Sequence, residues 1–69
     1  MSRWWYKPNG EIVGYLADDG KWFYKQSGEA IGWRDGRWIY ASNGSVIGWF
    51  AGDGKWIYSE KGEPLGYLS

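Results

Sequence analysis

The chain contains no cysteine and no histidine. The first absence excludes disulfides, and the two together exclude the usual zinc sites. They also remove the thiol nucleophile and the commonest general base. There is no surplus of either charge, because 8 Lys and Arg balance 8 Asp and Glu. Nucleic acid is therefore not an expected partner, since phosphate neutralisation supplies most of that affinity. No apolar run approaches the ~20 residues of a membrane span, so no transmembrane segment is expected. The start, Met1-Ser2-Arg3-Trp4-Trp5-Tyr6, lacks the apolar stretch of a signal peptide. With no signal peptide and no cysteine, the default localisation is cytoplasmic; a module excised from a larger protein would instead fit a cell surface. Proline is scarce, and no window shows a capped 3.6-residue apolar period, so no helix is expected.

What is present in quantity is aromatic residues and glycine. The 69 residues include 7 Trp, 6 Tyr, 2 Phe and 12 Gly. A chain this short forms one domain at most and buries only about 60% of its unfolded surface. Large aromatic side chains are one way to supply apolar area where disulfides and metals are missing.

The aromatics recur in register. Four segments align without gaps: Trp4-Trp5-Tyr6, Trp22-Phe23-Tyr24, Trp38-Ile39-Tyr40 and Trp56-Ile57-Tyr58. Four residues after each Tyr stands Gly10, Gly28, Gly44 or Gly62, and four further on Gly14, Gly32, Gly48 or Gly66. An apolar residue precedes each second glycine (Val13, Ile31, Ile47, Leu65) and an aromatic follows it (Tyr15, Trp33, Trp49, Tyr67). The units join through Asp19-Gly20-Lys21, Asp35-Gly36-Arg37 and Asp53-Gly54-Lys55. Tyrosine spacings of 18, 16 and 18 put units one and three 34 residues apart, and two and four likewise. Such a period marks a repeat architecture with a two-fold inside a pseudo-four-fold. The units run over 3–20, 21–36, 37–54 and 55–69.

Each unit carries two short runs of aromatic and β-branched residues between turn signals, the pattern of a β-hairpin. Asn9-Gly10 and Asn43-Gly44 suit a two-residue type I′ turn, and the Asp-Gly junctions suit return turns. The expected fold is all-β: four tandem hairpins, eight short antiparallel strands near 3–7, 11–16, 21–25, 29–34, 37–41, 45–50, 55–59 and 63–68. Open aromatic edges would aggregate. The last strand is therefore expected to pair with the first, closing a shallow barrel or flower, with Pro64 at a non-bonded position or a bulge.

A two-residue turn would set Tyr6 opposite Val13, Trp5 opposite Gly14 and Trp4 opposite Tyr15. One uncharged face then carries Trp4, Tyr6, Val13 and Tyr15 and their counterparts in the other units. The opposite face sets Trp5, Phe23, Ile39 and Ile57 across from Gly14, Gly32, Gly48 and Gly66, as axis and register positions. It also carries Arg and Lys. A three-residue turn would shift the pairing by one and exchange part of these sets. An ordinary eight-stranded barrel has no room for all the large side chains of the uncharged face. Either the strands splay into petals or many aromatics stay partly exposed.

The unit W-I-Y-x-x-x-G-x-x-I-G-W-x-x-x-D-G-K-W-I-Y, as it stands from Trp38 to Tyr58, resembles the four-fold β-flower domain over the whole chain. That resemblance implies hairpins around a central axis, often with an apolar channel, and no defined activity. A second likeness is to the choline-binding repeats of bacterial surface proteins. It rests on Gly32-Trp33 leading to Gly36-Arg37-Trp38-Ile39-Tyr40, and on Gly48-Trp49 leading to Gly54-Lys55-Trp56-Ile57-Tyr58. It implies an aromatic cage for a quaternary amine built from Trp33, Trp38, Tyr40, Trp49, Trp56 and Tyr58. The unit lengths of 16 and 18 depart from that family's repeat of near twenty residues, and Tyr15 and Tyr67 stand where Trp is expected.

The acids Asp18, Asp19, Asp35 and Asp53 read as turn formers rather than as a hydrolytic pair or a calcium loop. Lys21, Arg37 and Lys55, each before a Trp, either stack on the neighbouring rings or solubilise the rim, and the second is the expected role. No catalytic residue, metal or cofactor is expected. The expected function is a non-enzymatic binding module with an aromatic, partly apolar site, on the axis or between hairpins, for a quaternary amine, a sugar or a lipid-like ligand. The alternative is a structural domain that self-associates through its aromatic face as a homo-oligomer.

Overall fold

A computed structural model describes residues 3–69. Its elements are strands: β1 (Arg3–Tyr6), β2 (Ile12–Leu16), β3 (Trp22–Tyr24), β4 (Ala30–Asp35), β5 (Trp38–Ala41), β6 (Val46–Phe50), β7 (Trp56–Ser59) and β8 (Pro64–Leu68). Each pairs antiparallel with the next, and β8 returns to β1, so the sheet is a closed barrel. At the closing seam Trp5 lies opposite Leu68 and Tyr6 opposite Tyr67. Just beyond, Trp4 and Ser69 exchange two backbone hydrogen bonds of 3.1 and 2.9 Å. Closure leaves no strand edge to seed aggregation. The molecule measures 27 × 26 × 17 Å, the proportions of a shallow disc.

The hairpin turns differ from the two-residue form. The Gly10 N–H donates to the Lys7 carbonyl at 2.8 Å and the Lys7 N–H to the Glu11 carbonyl at 2.7 Å. Gly10 has φ +93°, whereas no described non-glycine residue has a positive φ. The loop is therefore the three residues Pro8-Asn9-Gly10, a type I turn followed by a left-handed glycine. Type I′ would need positive φ at Asn9 as well.

The longer loop sets Tyr6 opposite Ile12, not Val13, and a bulge one step on restores the expected Trp5–Gly14 and Trp4–Tyr15 pairs. All four hairpins repeat this. Tyr24 faces Ala30, Tyr40 faces Val46 and Tyr58 faces Pro64, and each bulge is followed by the pairs Phe23–Gly32, Ile39–Gly48 and Ile57–Gly66. Pro64 thus stands beside a bulge, where a missing ladder donor is tolerated. The extra residue in each bulge is Val13, Ile31, Ile47 or Leu65. These four pack against the core instead of joining the aromatic face, because a bulge re-aims the side chain it carries.

The interior is the face with the glycines. Trp5, Phe23, Ile39 and Ile57 are buried at the centre, joined by Leu16, Phe50 and Leu68 from the ends of β2, β6 and β8. Trp5 meets Phe23 edge-on at 5.4 Å between ring centres, and Phe23 stacks on Phe50 at 6.3 Å. The Trp5 indole N–H is buried without a hydrogen-bond partner among the described residues.

The inner glycines are needed for closeness to the next hairpin more than for the residue across the ladder. A β-carbon on Gly14, Gly32, Gly48 or Gly66 would collide with the carbonyl oxygen of Tyr24, Tyr40, Tyr58 or Tyr6 respectively. Each glycine lets the following hairpin close up against its own, which is how such short strands complete a ring.

Candidate functional site

With the interior filled, the first and third residues of the W-x-Y segments lie on the outside of the barrel. They form groups that cross from one hairpin to the next. The Trp that opens a hairpin meets the aromatic after that hairpin's inner glycine, and this in turn stacks on the Tyr of the following hairpin. Trp4 meets Tyr15 at 5.6 Å, and Tyr15 stacks on Tyr24 at 5.6 Å. Trp22 meets Trp33 at 5.6 Å, and Trp33 stacks on Tyr40 at 5.7 Å. Trp56 meets Tyr67 at 5.0 Å, and Tyr67 stacks on Tyr6 at 5.5 Å across the closing seam. In the remaining group Trp49 stacks on Tyr58 at 5.0 Å, while Trp38 lies opposite Trp49 in the ladder.

This belt follows from the strand arithmetic. The opening Trp and the post-glycine aromatic face each other within a hairpin, and the post-glycine aromatic faces the next Tyr between hairpins. Directly opposed side chains share a face. Alternation then keeps the whole series outside once the glycine positions are inside.

The belt is half-buried rather than uniformly accessible. Its most open members are Trp4 and Trp38, at 41% and 42% exposure. They sit 34 residues apart, at the same place in units one and three. Trp22 and Trp56, in units two and four, are less exposed. Each follows a longer return loop whose aspartate binds its backbone N–H. Asp19 Oδ1 accepts hydrogen bonds from the Lys21 and Trp22 N–H groups at 2.8 and 3.1 Å, and Asp53 Oδ1 accepts from Lys55 and Trp56 at 2.8 and 3.2 Å. These amide donors hold both carboxyls below the ordinary aspartate value of 3.8. The Asp35 junction is shorter. Asp35 lies opposite Trp38, and Gly36, with φ +61°, opens a two-residue turn. No comparable loop precedes Trp38, so its ring stays open.

The basic residues before the tryptophans do more than solubilise. The Arg37 guanidinium lies 5.3 Å from the Trp49 ring centre, and the Lys55 ammonium 5.7 Å from that of Tyr67. Both distances are within cation–π range. The stacking has a simple cause: the residue before an opening Trp flanks the strand that carries the post-glycine aromatic.

The six positions expected to line a cage are spread over three of the four groups. Trp33 and Tyr40 stack together, Trp49 and Tyr58 stack together beside Trp38, and Trp56 packs on Tyr67. They are not gathered around one centre. Leu16, Phe50 and Leu68 are core residues that the repeat pattern had not singled out, although each stands two residues after an inner glycine and so on the same face. Among the described residues no group of three acidic side chains is placed to hold a metal ion.

The model of the family described as 4-fold beta flower protein matches residues 3–69. No curated protein and no solved structure matches the chain.

Proposed function

The chain belongs to the 4-fold beta flower protein family, and from that premise we propose that it is a non-enzymatic binding module whose ligand surface is the outer aromatic belt. The carrying observation is that the interior is filled by its own side chains, while Trp4 and Trp38 present open indoles at symmetry-related places. A lipid-like ligand needs an enclosed apolar cavity, and the packed centre offers none among the described residues. A quaternary amine needs rings splayed around a point. Here the rings stack on one another, and Arg37 and Lys55 already lie over Trp49 and Tyr67. What a flat, open indole suits is the apolar face of a sugar ring. Two such indoles, on β1 and β5 at opposite sides of the closed ring, would engage two separate saccharide chains.

Intrinsic fluorescence tests this reading. Cello- and chito-oligosaccharides should change the emission saturably, choline and fatty acids should not, and Trp4→Ala with Trp38→Ala should abolish the change. A flat trace to millimolar sugar would remove the proposal.

Self-association is the second reading. Ile12, at 43% exposure and opposite Tyr6 in the first hairpin, adds to the open apolar surface, and open apolar surface favours pairing between copies. Light scattering at high concentration decides it, since a strict monomer has no such interface.

A further inference from the structure

Leu16, Arg34, Phe50 and Leu68 occupy one place in the four units, each two residues after an inner glycine. Three of them are buried and apolar. The fourth is a cation. Arg34 lies opposite Ile39, its Nε donates to the Gly36 carbonyl at 2.9 Å, and its guanidinium carbon stands 4.7 Å from the Phe50 ring centre. One edge and one face of the guanidinium are thereby fixed against the protein.

Arg34 and Arg37 line one groove of about 320 Å³, together with Phe50 and the facing Ala51, Gly52 and Gly54. Neither guanidinium pairs with a carboxylate among the described residues, where Lys25 pairs with Glu29. The acid of the facing loop is turned into its own backbone, with Asp53 Oδ1 on the Lys55 and Trp56 amides. In a chain with no net charge, this groove is lined by two arginines, and the carboxylate of its facing loop, Asp53, is engaged by backbone amides. Its far wall contributes glycine backbone that obstructs nothing.

A guanidinium offers a rigid fork of donors matched to carboxylate and phosphate oxygens. We propose that the groove between Arg34 and Arg37 binds an oxyanion, a carboxylate or a phosphate, carried by a small ligand. The inference does not depend on the belt taking a sugar. Leucine fills the equivalent place in two other units, as Leu16 and Leu68.

The test is a nitrogen–proton NMR titration of the full chain, following the Arg34 and Arg37 Nε–H signals and the amides of 51–54. Sodium phosphate and sodium acetate are the probes, with sodium chloride at matched ionic strength as reference. Saturable shifts are expected with phosphate or acetate and not with chloride. Which of the two saturates identifies the source of the oxyanion. Arg34→Leu and Arg37→Gln should each weaken binding about tenfold, the effect of losing a charge-assisted hydrogen bond. Arg34→Lys keeps the charge but loses the fork, and serves if the leucine variant fails to fold. Equal shifts with all three salts, or unchanged binding in the arginine variants, would overturn the proposal.

Discussion

The α-carbon of Gly32 lies against the carbonyl oxygen of Tyr40, in the space that a β-carbon would need. The neighbour there is backbone of the next hairpin and cannot rotate away. Gly32→Ala should therefore cost at least 2 kcal/mol, within the ~1–3 kcal/mol range of overpacking. Gly52→Ala is the control. Gly52 has open space around it and no positive φ, so its replacement should stay within about 0.5 kcal/mol. Urea midpoints of the two variants measure the difference, and equal effects would refute the close approach.

Trp38 and Ile39 are chain neighbours on opposite faces of β5, one open and one fully buried. The same substitution at both separates the faces. Ile39→Lys should lose about 3–5 kcal/mol, the penalty of an unpaired buried charge, and leave little folded protein in a domain of this size. Trp38→Lys should keep a cooperative transition with a lower midpoint. The reverse order in thermal melts would place the belt inside.

Asp19 and Asp53 accept backbone hydrogen bonds as carboxylates, which lowers their pKa in the folded state. Their contribution is thus present above the ordinary value of 3.8 and is lost as the pH falls through the lower folded values. Stability should fall as solutions are acidified from pH ~5 toward ~2. Asp53→Asn should lower stability at neutral pH and flatten this dependence. An acid titration of the melting temperature that is identical in the two proteins would contradict the role of the loop carboxylate.

The repeat made the eight strands, their order and the closure of the last on the first legible from the sequence. The W-x-Y and glycine spacings leave few other ways to pair. What it obscured was a compensation. Asn9-Gly10 fits a two-residue turn, but a three-residue turn plus a bulge yields the same Trp5–Gly14 pair. A signal was present: Ser27-Gly28 and Lys61-Gly62 hold the same place, so only the glycine needs positive φ there. The interior face was ambiguous for a physical reason. The uncharged aromatic face resembles a core by composition, yet the glycines draw the hairpins together on the other side, and the side chains buried there fill the interior. The stacking of Arg37 and Lys55 follows from which side of the strand they flank, which composition does not reveal.

The central claim is that the indoles of Trp4 and Trp38 form the ligand surface while Trp5 is sealed in the core. Fluorine NMR of the protein labelled with 5-fluorotryptophan, titrated with cello- and chito-oligosaccharides, reads all seven indoles at once. The Trp4 and Trp38 signals should move saturably and the Trp5 signal should not. Movement of Trp5 ahead of them, or no movement of any signal at millimolar sugar, would contradict the account.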